Sequence, residues 1–282
     1  MEFLAMIIAL SLQQVLQPGN ALQRDGLLLA WEHQLAEHID ARLPRVTLVL
    51  GSVALLVSVL LSLFDDWLFA LPELLASAAL LLWSLGRGDY HGAVERCRAG
   101  PAADPGAADA TASGLWMPPI ASEALEAGTA QQREERADSA TSPADTASLP
   151  LLERVAYAGY ARWFAPLFWF ALLGPVAAVL YRALARLAAS GRWRDYGKLL
   201  HFADWLPARL LGLSFALTGD FAGVSRRDPL RYFSDSESAS RVICELAVSA
   251  CGDRPDLRSI ADLLYRSAGL WLAAACALLL LA

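Results

Sequence analysis

Cysteine, histidine and methionine are scarce: four, four and three residues in a chain of 282. Cys97, Cys244, Cys251 and Cys276 are scattered and form no C-x-x-C, so neither a zinc set nor a dithiol motif is expected. His33, His38, His91 and His201 have no ligand spacing either, and no structural metal is predicted. There is no glycine-rich phosphate loop followed by Lys-Ser or Lys-Thr, and no serine elbow for a nucleophilic triad. Basic residues number 23 against 29 acids and lack an interleaved aromatic platform, which argues against a nucleic-acid partner. A secretory leader is not expected, because Glu2 precedes the apolar start Phe3 to Leu12 and no small-residue cleavage site follows it.

What the chain does have is apolar surface. Hydrophobic residues make up 56% of it, more than a soluble domain of this size needs to fill its core, so some must face lipid. Val46 to Phe64 carries no charge and is long enough for a hydrocarbon core of roughly 30 Å. After the acidic corner Asp65-Asp66, Trp67 to Leu85 repeats the pattern with Glu73 as its only charge and Trp67 and Trp83 near its ends. The two read as an antiparallel hairpin. Phe3 to Leu12 reads as a short first span and Ala268 to Ala282 as a last one. The expected class is an all-α, polytopic membrane protein with about four spanning helices, broken or re-entrant apolar segments and a cytoplasmic helical region.

The chain divides into five regions. Residues 1–98 form an N-terminal membrane region containing the hairpin 46–85. Residues 99–149 are rich in Ala, Gly, Pro, Ser, Thr and acids and are expected to be a disordered cytoplasmic loop. Its two arginines and eight acids give 2 − 8 = −6, equal to the net charge of the whole chain. Residues 150–224 form a membrane-embedded region, 225–266 a cytoplasmic segment and 267–282 the terminal transmembrane helix. Within 225–266, an amphipathic helix near Ser236 to Cys251, with Val242, Leu246 and Val248 roughly on one face, is expected to lie on the membrane surface.

Arginines set the orientation. Arg24, Arg42 and Arg45 precede the hairpin and Arg87, Arg96 and Arg98 follow it, so both its ends face the cytoplasm. Trp163 to Leu180 and Leu206 to Leu217 are each followed by basic residues. Both are therefore expected to dip into the membrane without crossing, the first turning at Gly174-Pro175. Arg209 lies in the second of these apolar runs, and an ionisable group at membrane depth needs a partner and marks a polar cavity. Asp25, Glu73, Asp89, Asp204 and Asp220 are the candidate partners. Trp205 and Pro207 flank the arginine.

The strings Ala165-Pro166-Leu167-Phe168-Trp169, Gly174-Pro175, Tyr181-Arg182 and Asp204-Trp205-Leu206-Pro207-Ala208-Arg209-Leu210 resemble the CobD/CbiB superfamily of bacterial membrane proteins, and most of all its AmpE branch. Gln23-Arg24-Asp25 and Asp89-Tyr90-His91 extend the resemblance. The superfamily's enzymatic branch joins an aminopropanol unit to a corrinoid carboxylate with ATP and magnesium, using a Ser-x-x-Glu-Asn stretch and a nearby Asp. The corresponding stretch here is Tyr157-Ala158-Gly159-Tyr160-Ala161, which offers no carboxylate to magnesium. A Glu-Arg pair common near the end of the first span in the AmpE branch is Gln13-Gln14 here.

The resemblance implies a regulatory protein of the bacterial inner membrane, linked to β-lactamase induction and peptidoglycan recycling and encoded with the AmpD amidase. Its ligand would be a muropeptide or a nucleotide, held by Asp25, Asp89, His91, Asp204 and Arg209 on the cytoplasmic face. No catalytic residue, no metal and no firm cofactor are assigned. An ATP-dependent amide ligase and a small transporter are the alternative readings.

Overall fold

A computed structural model describes residues 2–15, 30–31, 34, 42–65, 71–85, 90, 92, 94–95, 152–189, 194–226, 237–252 and 256–281. Among the described residues every regular element is helical and there is no strand. The chain forms two compact units, one from Met1–Gly88 and Ala165–Ala203, the other from Asp89–Phe164 and Asp204–Ala282.

In the first unit, α1 (Glu2–Val15) packs on α3 (Leu71–Ser84), which also contacts α2 (Arg42–Asp65). Val46–Leu63 within α2 is long and apolar enough to cross a membrane, while Leu71–Ser84 is apolar but shorter. The described part of the second arm of the expected hairpin is Leu71–Ser84, and the corner with the residues up to 70 lies outside the described residues. Glu73 sits in the first turn of α3, directly after Pro72. Proline fits there because no amide donor is needed, and the helix dipole favours a carboxylate at that end.

A run of helix continues from α4 (152–159) through a π turn (Tyr160–Phe164) into α5 (Ala165–Leu173). Pro166 explains the wide turn: it has no amide to donate to the Arg162 carbonyl, and its ring would collide with that carbonyl in a tight α turn. α5 stops at Gly174, whose φ of 81° is a left-handed conformation that costs glycine nothing. Pro175 then opens α6 (Pro175–Ala189), which packs back on α5 and also on α2 and α3. The break expected at Gly174-Pro175 is present.

α7 (Arg194–Thr218) carries Pro207 inside it and is not interrupted there. The apolar run Leu206 to Leu217 is therefore the second half of one long helix and not the separate element that its composition suggests. The second unit is completed by α8 (Phe221–Ser225), α9 (Ala239–Ala250) and α10 (Leu257–Leu281). α9 starts at Ser238, whose side chain accepts from the Arg241 amide and so caps the helix. Its apolar face, with Val242, Ile243, Leu246 and Ala247, is buried within the protein, and Val248 falls off that face. α10 begins ten residues before the expected terminal span.

Aromatic packing holds the π turn after α4 against α10. Tyr90 lies edge-on to Trp163 at 4.9 Å, Trp163 reaches Tyr265 at 5.7 Å, and Phe164 stands edge-on to Trp271 at 5.4 Å. Gly159 permits this approach: a Cβ there would lie 2.7 Å from Leu264 Cδ1.

Candidate polar site on helix α7

Asp204 sits on the inner side of α7 and is only 2% exposed. A carboxylate taken out of water is costly unless its oxygens find donors. Here Tyr157 Oη donates to Oδ2 at 2.8 Å and Tyr160 Oη to Oδ1 at 2.9 Å. Burial, reinforced by the adjacent Asp204 charge, pushes the Tyr157 phenol well above its usual pKa, so it stays a proton donor.

Arg209, five residues on, is 5% exposed. Its guanidinium lies over the Trp205 ring, 4.6 Å from the centroid. Nη1 donates to the Trp205 carbonyl at 3.0 Å and Nη2 to the Glu237 carbonyl at 3.3 Å. Further along the helix, Ser214 Oγ accepts from Trp271 Nε1 at 2.7 Å, and the hydroxyls of Thr218 and Ser267 are 3.0 Å apart. Ser214 and Thr218 also donate to carbonyls one turn back. Each of these polar side chains on α7 thus has a partner inside the protein.

Of the residues expected to build a ligand site, Asp204 and Arg209 lie on the part of α7 that belongs to the second unit. Asp25, Asp89 and His91 lie outside the described residues. Tyr181 and Arg182 are buried on α6, and Pro166 and Trp169 lie on α5, all in the first unit. Trp169 has a structural duty: its Nε1 donates to the Ala203 carbonyl at 3.3 Å. That carbonyl would accept from the amide of residue 207 in a regular helix, and Pro207 has no such amide. Arg241 and Arg258 form ion pairs with Glu245 at 3.0 Å and Glu95 at 3.4 Å.

Tyr157, Tyr160 and Glu153 are not conspicuous in the sequence. Spacings of four and three residues put Glu153, Tyr157 and Tyr160 on one face of a helix, and that periodicity is the signal that could have found them. Glu153 is 7% exposed, receives a hydrogen bond from the Cys244 thiol, and has an Oε2 with no hydrogen-bond partner among the described residues. Burial raises its carboxyl to about 7, with the neighbouring Glu245 charge adding to the rise and Cys244 and Arg241 opposing it. Burial also pushes the Cys244 thiol well up, so it acts as donor and not as thiolate. Chemically, the second unit offers a fixed buried carboxylate at Asp204, a buried guanidinium at Arg209 and, at Glu153, a carboxyl that holds its proton up to about pH 7.

The chain matches no protein-family model, no curated protein and no solved structure.

Proposed function

We propose that the protein is a multi-pass inner-membrane protein of the AmpE branch of the CobD/CbiB superfamily, which relays the state of the cell envelope during β-lactamase induction and peptidoglycan recycling. The observation that carries the membrane part is the outer surface of α2. Leu48, Leu55, Leu56, Val59, Leu60 and Leu63 are all exposed, and only 17% of the Val46–Leu63 stretch is buried. Leaving each such side chain in water forgoes roughly 1.5–3 kcal/mol of burial free energy, which acyl chains would supply. Ser52 and Ser62, two of the polar side chains on this stretch, donate to carbonyls of their own helix, as a lipid setting demands.

The regulatory part rests on the motif residues Ala165–Trp169, Gly174-Pro175 and Asp204–Leu210. The geometry of Asp204 supports binding or relay over magnesium-assisted ligation, because both its oxygens already accept tyrosine protons. In this reading Arg209, Asp204 and Glu153 sense a muropeptide or nucleotide, and the signal passes to a partner such as the AmpD amidase. The test is deletion of the gene followed by induction with a cell-wall antibiotic, with complementation by wild type and by Arg209→Ala. Altered induction restored only by the wild type is expected; induction unchanged by deletion sinks the proposal. Release of the protein from membranes by alkaline carbonate would overturn the membrane part separately.

A further inference from the structure

α7 has two apolar faces. One is turned inward through Ala208, Leu211 and Phe215. The other carries Leu199, Phe202, Leu206, Leu210, Leu213 and Leu217, each between 39% and 67% exposed and each three or four residues from the next. Their spacing averages the helical period, so they form one straight line down the helix, about 27 Å long at 1.5 Å per residue. No charged side chain interrupts the line. Of the two ionisable residues between Leu199 and Leu217 other than His201, Asp204 is turned to the opposite side and hydrogen-bonded there, while Arg209 lies on the flank of the line, about 60° from it, with its guanidinium on the Trp205 ring and bonded to the Trp205 and Glu237 carbonyls.

We infer that α7 crosses the hydrocarbon layer, with the Leu199-to-Leu217 stripe against lipid acyl chains, Asp204 on the face turned into the protein and the flanking Arg209 covered by Trp205 and the Glu237 carbonyl. The inference rests on the membrane reading above but names a surface that reading did not. Three observations select acyl chains as the occupant. The stripe is nearly as long as the hydrocarbon core is thick, roughly 30 Å. The side chains of Asp204, Arg209, Ser214 and Thr218 are satisfied by protein groups, which lipid requires. The carbonyl that Pro207 leaves without its usual donor is likewise satisfied, by Trp169. Crossing places one of the two basic ends, Arg194 to Lys198 or Arg226, on the far side, against the bias that suggested a dip; the unbroken helix and the length of its stripe outweigh that bias.

The test is nitroxide scanning of the full-length protein in liposomes. Leu199, Phe202, Leu206, Leu210, Leu213 and Leu217 are each replaced by Cys, with Leu55→Cys and Val59→Cys on α2 as controls. Cys97, Cys251 and Cys276 are changed to alanine, and the buried Cys244 is kept. Collisions with oxygen and loss of collisions with a water-soluble nickel chelate are expected at all six stripe positions, with depth greatest near Leu206 and Leu210 and falling toward both ends. Nickel access along the stripe while the α2 controls remain lipid-exposed overturns the inference alone. So does protection from both reagents with spin coupling between copies, which would mean that a second copy covers the stripe. Depth that rises steadily from one end to the other overturns the crossing. Nickel access on α2 as well overturns the membrane reading itself.

Discussion

Trp169 donates its indole N–H to the Ala203 carbonyl at 3.3 Å, the group that Pro207 deprives of its usual helical donor. Two motif residues far apart in the sequence are thus halves of one backbone repair. Trp169→Phe keeps the ring and removes the donor, and should lower stability by about 1 kcal/mol. In a Pro207→Ala background, where the backbone amide returns, the same change should cost little. A double-mutant cycle of unfolding in detergent measures the difference, and equal costs in both backgrounds would refute the coupling.

Asp204 depends on its two tyrosines. Tyr157→Phe leaves Oδ2 without that donor and should cost about 1.5–3 kcal/mol, because the acceptor is charged and buried. Adding Tyr160→Phe should cost still more, since no other donor is then fixed on Oδ1 by a tyrosine. If Asp204→Asn restores stability to the double variant relative to Asp204, the penalty belongs to the unsolvated charge. Thermal unfolding of the four proteins decides it.

Glu153 predicts a pH dependence. Its folded-state carboxyl, raised to about 7 from an ordinary 4.5, holds a proton that the unfolded chain releases. The stability it contributes is therefore complete below pH 4.5 and lost as pH rises through about 7. Glu153→Gln, which stays neutral, should be more stable than wild type at pH 8 by ~2 kcal/mol once solvent screening is allowed for, with the gap closing toward pH 5. Melting curves of both proteins at several pH values would show parallel behaviour if the carboxyl titrates normally.

Two glycines in the second unit should respond differently to alanine. At Gly219 a Cβ would lie 2.7 Å from the Ala250 carbonyl oxygen and 2.9 Å from the Ala250 Cβ, groups fixed by α9. At Gly212 the obstacle is Leu246 Cδ1, the end of a side chain that can rotate away. Gly219→Ala should thus destabilise by about 1–3 kcal/mol, and Gly212→Ala by less, offset in part by the better helix propensity of alanine. The reverse order in unfolding measurements would contradict this packing.

The helical class and the break at Gly174-Pro175 were legible because apolar runs and a glycine-proline pair are local signals. The bounds of the long helices were not. Leu206 to Leu217 read as an apolar segment of its own, yet α7 runs from Arg194 through Pro207 to Thr218, and a distant indole donates to the carbonyl that the proline leaves without its amide. The apolar face of α9 read as membrane-seeking, since periodicity reports that a face is apolar and not what covers it. Asp204 and Arg209 stood out as charges in an apolar run, whereas Tyr157, Tyr160 and Glu153 were hidden in a stretch conspicuous only for its lack of carboxylates between 157 and 161. Their common role depends on which helix faces them, and that information is long-range.

The π turn at Tyr160–Phe164 makes the spacing of this region a matter of residue count. A π turn accommodates one residue more than an α turn, so losing any one residue between 160 and 164 would force the tighter turn against Pro166 and rotate α4 by about 100° about its own axis. Tyr157 and Glu153 would swing away from Asp204 and Cys244 together. A single-codon deletion there is accordingly a frame error in three dimensions: every side chain upstream survives intact but addresses the wrong neighbour.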